Sequence, residues 1–241
     1  MPLKAVIFDV YNTLFDNDTS HWIDVFGDVC RIQELSISPE NLWTTWKTFE
    51  VRFRQTRTNM ERPEESPPFK TYQAAWGAAF ISAFDSLGIR GDPHHAAELS
   101  AERMAYREPY EDTFRTLEYV GRRWKRALLT NADNKFILPL LERHKLSFDA
   151  VVTSEMAQAY KPDPRAFQRI LRETGIEPQE ALYVGDTLLD DVHGAKLAGM
   201  SAAWINRNGA TRDPKLLQPD YEIASLTELT RVLESLKESL P

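Results

Sequence analysis

The sequence predicts an α/β fold, in which a parallel sheet is interrupted after its first strand by a helical insertion. An apolar run at residues 3–8 ends in Asp9, as expected of a strand buried on both faces. Residues 16–107 show helical patterns and no convincing buried strand. From about residue 108, strand and helix patterns alternate, which is typical of βαβ units with helices on both faces of a parallel sheet.

The first strand, LKAVIF, leads directly into an acidic residue and a polar turn. An ionised carboxylate at Asp9 is costly to desolvate unless a cation, hydrogen bonds or a chemical role compensates. An isolated aspartate after a strand more often caps a turn or a helix. The residues at the other strand ends therefore decide what Asp9 does.

The insertion, residues 16–107, contains four of the six tryptophans. Helices are predicted at 41–57 and 72–87, because apolar residues recur there at helical spacing. The stretch RPEESPP at 62–68 is predicted to be a loop, since three prolines cannot lie inside a helix. We interpret the aromatic stripes as packing surfaces. In the first of these helices the stripe comprises Leu42, Trp46, Phe49 and Phe53.

The remainder of the chain supplies the other elements of the sheet. Strands are predicted at 126–130, 149–153, 181–185, 202–206 and 221–224. Helices are predicted at 113–123, 135–144, 165–174, 191–198 and 226–236. In an open parallel sheet of this kind, functional sites form at the carboxyl ends of the strands.

Composition narrows the classes of function. The 241 residues include 36 acidic and 29 basic ones, a formal net charge of −7, which argues against general binding to nucleic acid or to a membrane surface. The single cysteine, Cys30, excludes an internal disulfide and suits a reducing compartment. The sequence has no signal-peptide layout, and no apolar run approaches the ~20 residues of a spanning helix. We expect a cytoplasmic protein with a small-molecule substrate and neither a nucleic-acid nor a membrane partner.

Polar residues follow four of the predicted strands. Each has an ordinary structural explanation as a cap, a solvated lysine or an exposed helical acid. Together these explanations are weak, because one strand topology brings all of the residues to the same edge of the sheet. The residues are Asp9, Thr130, Asn131, Lys161, Asp186, Asp190 and Asp191.

This set is chemically coherent. Asp9 and Asp186 would repel each other unless a cation lay between them. Hard oxygen ligands favour Mg²⁺, which retains waters and accepts phosphate oxygens. Lys161 can neutralise carboxylate and phosphoryl oxygens, and Thr130 can donate its hydroxyl to the same group. A carboxylate nucleophile would then form a covalent intermediate that water hydrolyses.

Four motifs, in this order, resemble those of the haloacid dehalogenase superfamily: DVYNT at 9–13, LTN at 129–131, KPD at 161–163 and GDTLLDD at 185–191. The insertion resembles that family's cap, so the resemblance covers nearly the whole chain. It implies a Rossmann-like catalytic core of residues 1–15 and 108–241 and a mobile helical cap domain of residues 16–107.

The resemblance also implies roles for individual residues, beginning with Asp9 as the nucleophile. The catalytic set is Asp9, Tyr11, Thr130, Asn131 and Lys161. The substrate-binding set is Thr13, Thr130, Asn131 and Lys161. The expected Mg²⁺ ligands are Asp9, the backbone carbonyl of Tyr11 and Asp186, supported by Asp190 or Asp191.

Within the superfamily, the chain is most similar to the 2-haloacid dehalogenase branch. Tyr11 stands where the phosphatases have a general-acid aspartate and the dehalogenases have tyrosine. The stretches LW at 42–43 and WINR at 204–207 also resemble dehalogenases. Two positions depart from that branch: Thr44 replaces the halide-binding arginine, and GDT at 185–187 replaces SSN with the pattern of metal-dependent phosphatases. Candidates for a replacement cation are Arg52, Arg54 and Arg57.

The sequence therefore predicts a hydrolase that acts through an aspartyl-enzyme intermediate. The favoured reaction is Mg²⁺-dependent hydrolysis of a small phosphorylated metabolite, because Asp186 beside Asp9 calls for a cation. Tyr11 supports the main alternative, metal-independent 2-haloacid dehalogenation. A second alternative is a non-catalytic metal or metabolite binder. The expected assembly is a monomer or a homodimer.

Overall fold

The α/β fold is confirmed by a computed structural model, which describes residues 2–238 and the side chains of residues 2–236. The described part of the chain forms a six-stranded parallel sheet in the order β3-β2-β1-β4-β5-β6. The strands are β1 Ala5–Phe8, β2 Lys125–Thr130, β3 Ala150–Thr153, β4 Ala181–Gly185, β5 Ser201–Ile205 and β6 Tyr221–Ile223. All six predicted strands are present, with ends shifted by at most two residues.

The first strand lies in the middle of the sheet, as its apolar sequence predicts. All four residues of β1 are fully buried, and Ile7 pairs with Ala127 of β2 and Tyr183 of β4. Side chains alternate between the faces of a sheet, so Asp9 extends the face that carries Ile7. The residues that follow β1, β2 and β4 therefore end at the same edge.

Ten α-helices are present in residues 2–238. They are α1 Thr19–Ile32, α2 Pro39–Thr56, α3 Tyr72–Leu87, α4 Pro93–Met104, α5 Thr113–Gly121, α6 Asn134–Arg143, α7 Ser154–Ala157, α8 Pro164–Thr174, α9 Gly194–Leu197 and α10 Leu226–Glu238. The 62–68 stretch is irregular apart from one 3₁₀ turn, Pro63–Glu65. None of the helices in the described residues combines the length and the apolarity needed to cross a bilayer.

Short polar side chains fix where several of these helices begin. Ser38 and Asp163 each accept a backbone N–H of the first turn, and each is followed by a proline at the first helical position. This arrangement satisfies an otherwise unpaired donor and starts the helix with a fixed φ. At the other end, Gly88 and Gly175 close α3 and α8 in the left-handed conformation that glycine adopts without strain.

The segment after β4 differs from the prediction of one helix at 191–198. Leu188–His193 forms a π-helical turn, in which Val192 N–H reaches back five residues to the carbonyl of Thr187 (3.2 Å), and α9 follows. Such turns concentrate at functional sites. Asp191 lies within this turn and is buried.

The chain divides into two compact units. One comprises the described residues of Met1–Asp16, Glu108–Asn131 and Ser147–Pro241, and the other comprises Asn17–Arg107 and Ala132–Leu146. The helical unit therefore includes α6, which the sequence boundaries had placed with the sheet.

Aromatic side chains form the core of the helical unit. Trp22 stacks on Trp43 and Trp46 at ring-centroid distances of 5.3 and 5.6 Å, and Trp76 lies edge-on to Trp22 at 5.3 Å. On the predicted packing face of α2, Leu42 and Trp46 are buried, whereas Phe49 and Phe53 are half-buried and Phe53 lies edge-on to Tyr72 at 5.9 Å; Glu50 is buried as well. Lys47 and Arg54 both pair with the buried Glu50 carboxylate, a compensation that hydrophobic periodicity does not predict.

Candidate active site

Asp9 stands directly after β1, and only 7% of it is exposed. Its N–H donates to the carbonyl of Val184 (2.9 Å), which continues the pairing of β1 with β4 and fixes the backbone. Burial raises the pKa of Asp9 from its ordinary 3.8 to about 6; the Lys161 charge opposes this rise, and the Asp191 charge adds to it. Asp9 is thus a buried carboxylate held at a defined place on the sheet edge.

Lys161 is the cation that contacts Asp9. Its ammonium donates to Asp9 Oδ1 (2.7 Å), Tyr183 Oη (2.8 Å) and Asp191 Oδ1 (2.5 Å), and the residue is 2% exposed. Burial alone would lower the pKa of Lys161, but Asp191 and Asp9 outweigh it and hold the pKa above its ordinary value. The ammonium therefore remains charged between two carboxylates.

The loop after Asp9 folds back tightly. Asn12 has φ = 60°, a left-handed conformation that asparagine tolerates better than most residues, and its N–H donates to Phe15 O (2.7 Å). Tyr11 is half-buried. Thr13 is fully buried, and its hydroxyl has no hydrogen-bond partner within the described chain. Thr13, predicted to bind substrate, is enclosed by protein in this structure.

The two polar residues of the second motif, Thr130 and Asn131, support Asp9 and Lys161 in different ways. The Thr130 hydroxyl donates to the Asp9 carboxylate, which lowers the pKa of Asp9. Asn131 accepts the backbone N–H of Lys161 (2.7 Å) through Oδ1, and its amide nitrogen donates to the Lys161 carbonyl (3.0 Å) and to Asp190 Oδ2 (3.1 Å). Asn131 therefore holds the backbone of the third motif, whereas the sequence predicted a contact with substrate.

The fourth motif brings two further carboxylates to Asp9. Ligand atoms of Asp9, Asp186 and Asp191 all lie within 4.8 Å of one another, whereas Asp190 is not in this group. Burial, and then the charges of Asp191 and Asp9, raise the pKa of Asp186 well above its usual value. Between the two candidates for metal support, the geometry favours Asp191.

Asp191 is nevertheless heavily engaged with protein. Its Oδ1 accepts from the Lys161 ammonium and lies 3.1 Å from Tyr183 Oη, and its Oδ2 accepts the N–H (2.9 Å) and hydroxyl (2.7 Å) of Thr187. A side chain at Gly185 would overlap the Asp191 carboxylate, so this packing requires glycine there. Of the acidic residues, Asp9 and Asp186 have the freer oxygens for a ligand.

These oxygens fit a hard divalent cation. If all three carboxylates are ionised, three negative charges face the single ammonium of Lys161. Mg²⁺ prefers oxygen ligands and is usually held by one or two carboxylates, with its other positions left to water or phosphate. The donor set and the unbalanced charge both match that preference.

A family model described as a haloacid dehalogenase-like hydrolase matches residues 3–199. The chain belongs to this family. The resemblance drawn from the four motifs is thereby confirmed. The protein is a hydrolase of the haloacid dehalogenase-like type, and its relatives include both phosphatases and dehalogenases.

Two curated relatives illustrate that division. Phosphatase MT3486 of Mycobacterium tuberculosis (strain CDC 1551 / Oshkosh) is 30% identical over 222 residues, covering 88% of this chain and 92% of the relative. (S)-2-haloacid dehalogenase 4A of Burkholderia cepacia is 27% identical over 236 residues, covering 96% and 95%. Both span nearly the whole haloacid dehalogenase-like chain.

Solved structures share the fold of this haloacid dehalogenase-like hydrolase. L-2-haloacid dehalogenase from Xanthobacter autotrophicus superposes with a TM-score of 0.76 at 23% identity, covering 96% of this chain and 98% of its own. The HAD-hydrolase YfnB from Bacillus subtilis, bound to magnesium, superposes with a TM-score of 0.80 at 18% identity, covering 97% and 99%. At these identities the likeness establishes the fold alone.

Three residues around the site of this hydrolase were not predicted as part of it. Tyr183 contacts Lys161. Trp204 donates its indole N–H to the Asp186 carbonyl (2.8 Å), and Arg207 donates to the Thr13 carbonyl (3.0 Å). The sequence could have indicated Tyr183, because a hydroxyl in the middle of a buried strand needs a hydrogen-bond partner. The other two act on backbone carbonyls, which residue types cannot reveal.

Proposed function

We propose that this hydrolase cleaves a small phosphorylated metabolite in a Mg²⁺-dependent reaction, with Asp9 as the nucleophile. The observation that carries the proposal is that ligand atoms of Asp9, Asp186 and Asp191 lie within 4.8 Å of one another, while one ammonium, that of Lys161, bonds to Asp9 and Asp191. A carboxylate beside the nucleophile raises the cost of ionising both, unless a cation offsets their repulsion. A metal-independent reaction would gain nothing from Asp186.

In the proposed reaction, an Asp9 oxygen attacks the phosphorus atom and the bond from phosphorus to the leaving oxygen breaks. Water then attacks the aspartyl phosphate, which releases phosphate and restores Asp9. Lys161 and the Thr130 hydroxyl hold the carboxylate for attack. Asp9, the Tyr11 carbonyl and Asp186 would hold Mg²⁺, which supplies positive charge to the phosphoryl oxygens.

The remaining acids support this arrangement. Asp191 fixes Lys161 and the Thr187 loop through three hydrogen bonds, so we assign it to support of the site and not to direct ligation. Asp190 is bonded to Asn131 and stays further from the group. We propose that residues 16–107 form a helical cap that selects the substrate, and that the enzyme works in the cytoplasm as a monomer or homodimer.

A second candidate function is 2-haloacid dehalogenation. Tyr11 and the Burkholderia cepacia relative, which is similar over nearly the whole chain, favour it. In that reaction Asp9 attacks the carbon that bears the halogen, halide leaves, and water hydrolyses the resulting ester. No metal is required, so the two candidates differ in their response to a chelator. A non-catalytic binder would keep ligand affinity but show neither activity.

One assay panel tests these candidates together. Phosphate release and halide release are measured over many substrates, including aryl, acyl and alkyl phosphates and 2-chloropropionate, each with Mg²⁺ and with chelator. Our proposal expects phosphate release that chelator abolishes. Chloride release from 2-chloropropionate in chelator, without Mg²⁺ binding in calorimetry, would establish the dehalogenase. No turnover with intact Mg²⁺ binding would establish the binder.

A further inference from the structure

Tyr183 is a buried polar residue to which the proposed reaction gives no role. It lies in the middle of β4 and is fully buried, with its ring against Phe167 at a centroid distance of 5.5 Å. A leucine or phenylalanine would fill the same space without the cost of desolvating a hydroxyl. Packing alone therefore does not explain why a tyrosine hydroxyl is buried at this position.

The hydroxyl group connects two of the site's motifs. Tyr183 Oη accepts from the Lys161 ammonium (2.8 Å) and lies 2.8 Å from Leu129 O and 3.1 Å from Asp191 Oδ1. A phenol has one proton, so it donates to one of these acceptors at a time. The shorter contact is to Leu129 O, in the strand that ends at Thr130. The β2 backbone thus orients the phenol, whose lone pair faces Lys161.

With Tyr183 in place, the three N–H bonds of the ammonium have three acceptors in different directions. The other two acceptors, Asp9 Oδ1 and Asp191 Oδ1, are both carboxylates, and the contact to Asp191 is the shorter at 2.5 Å against 2.7 Å. If the phenol oxygen were absent, Asp191 would compete with Asp9 for the ammonium without a third fixed contact.

We propose that Tyr183 is a positioning residue, which holds the Lys161 ammonium on Asp9 Oδ1 and so leaves the other Asp9 oxygen free to attack. The inference rests on Asp9 being the nucleophile, but it holds for either leaving group. Tyr183 itself does not touch the substrate. Its loss should therefore reduce kcat and leave KM nearly unchanged.

The decisive variant is Tyr183→Phe, which removes only the hydroxyl. Loss of a hydrogen bond to a charged group predicts a fall in kcat of roughly 10- to 100-fold. Kinetics are measured on whichever of p-nitrophenyl phosphate with Mg²⁺ and 2-chloropropionate the wild type turns over. Tyr119→Phe is the matched control, because it removes a phenol hydroxyl 3.4 Å from Glu234, at a surface outside the site.

An NMR measurement gives a readout that does not depend on turnover. A buried, fully hydrogen-bonded ammonium exchanges its protons slowly, so Lys161 should give a ¹⁵N–¹H resonance, assigned by its loss in Lys161→Arg. In the wild type this resonance should show a nuclear Overhauser effect to the Tyr183 ring. Tyr183→Phe should shift it and speed its exchange, and Tyr119→Phe should leave it unchanged.

Several results would overturn the inference. They are an unchanged Lys161 resonance and unchanged kcat in Tyr183→Phe, or a rise in KM at constant kcat. If Tyr183→Phe does not fold, the wild type still decides, since a missing resonance or a missing contact to the ring contradicts the proposed geometry. Activity retained by Asp9→Asn would instead refute the proposed function, whereas the contact between the Lys161 ammonium and the Tyr183 ring in the wild type would still be observed.

Discussion

The two units of the chain each bury carboxylates, but they balance the charge in opposite ways. In the helical unit, Glu50 is 5% exposed and pairs with both Lys47 (2.8 Å) and Arg54 (2.9 Å). One carboxylate there has two cations. At the sheet edge, ligand atoms of three carboxylates, Asp9, Asp186 and Asp191, lie within 4.8 Å of one another, and the ammonium of Lys161 contacts two of them, Asp9 and Asp191.

The difference separates a structural acid from a functional group of acids. Surrounding Glu50 with cations makes its burial tolerable, and nothing further is needed. The sheet edge buries like charges together, which costs stability: burial, and to a lesser extent the neighbouring carboxylates, raise the pKa of Asp9 and Asp186. Strain of this kind persists where the arrangement serves a ligand or a reaction. An excess of buried negative charge is therefore the stronger indication of function.

The largest effect should come from Asp9→Asn. The amide cannot attack, so turnover should fall by more than about a thousandfold on any substrate, since losing such a nucleophile typically costs more than that. The measurement is initial rate against enzyme concentration, with far-UV circular dichroism to show an intact fold. Asp213→Asn, in an exposed loop, is the control and should keep full activity. Activity above a thousandth of wild type would point to direct attack by water.

The second effect is on stability against pH, measured by urea unfolding in chelator. The pKa of Asp9 is about 6 in the folded protein and 3.8 without the fold, so the folded state holds this proton more tightly. The stability it contributes is full below pH 4 and is lost as pH rises through about 6. The wild type minus Asp9→Asn difference should therefore fall over that window, by at most about 3 kcal/mol.

Asp28, a carboxylate in the helical unit, should change stability with pH in the opposite direction. A hydrogen bond from Arg31, together with the charges of Arg103 and Arg31, lowers the pKa of Asp28. Its contribution to stability is present above its unfolded pKa and is lost as pH falls. The wild type minus Asp28→Asn difference should thus decline toward acid. Two slopes of the same sign would contradict the contrast between the two units.

The third effect is the response to Mg²⁺. A ligand that binds only the folded state adds about 2.7 kcal/mol at a hundredfold excess over its Kd. Mg²⁺ should raise the Tm of the wild type, and Asp186→Ala should remove that rise. Glu50→Gln, which alters the balanced site, should leave the Mg²⁺ response intact. An equal rise in Asp186→Ala would place any bound metal elsewhere.

Sequence reasoning recovered the sheet because its signals are local and strong. Apolar runs ended by Asp9, Thr130 and Asp186 identify strands and place their ends at one edge, whatever the loops between them do. Helices α1 and α4 were not delimited, and α6 was grouped with the sheet. The unit to which a helix belongs depends on contacts between residues distant in sequence. Hydrophobic periodicity does not predict such contacts.

The sequence named residues that the structure brings together, but it did not predict their hydrogen-bond partners. Asn131 and Asp190 were expected near substrate or metal, yet they bond to each other, and Asn131 also bonds to the Lys161 backbone. The sequence left Asp190 and Asp191 as alternatives, and the structure buries Asp191 within the π-helical turn Leu188–His193. The order of the motifs predicts which residues lie close together, whereas the backbone geometry determines which of their atoms form hydrogen bonds.

We expect the smallest effect on the free energy of unfolding without metal, when one carboxylate in each unit is replaced by its amide. Asp186→Asn removes a charge that faces Asp191 and Asp9, so it should stabilise the protein in chelator by roughly 1 kcal/mol. Glu50→Gln removes a charge that faces two cations, so it should destabilise it by about 1 kcal/mol. Both values are measured by urea unfolding at pH 7.5.

The sign of each change, more than its size, tests the contrast. Adding Mg²⁺ should reverse the first sign, because the wild type gains binding energy that Asp186→Asn has lost. The sign for Glu50→Gln should stay the same, since both of its partners are side chains of its own helix. If Asp186→Asn destabilises the protein in chelator, then Asp186 is already balanced by the protein. The charge excess at the sheet edge would then lose its value as evidence for a cation.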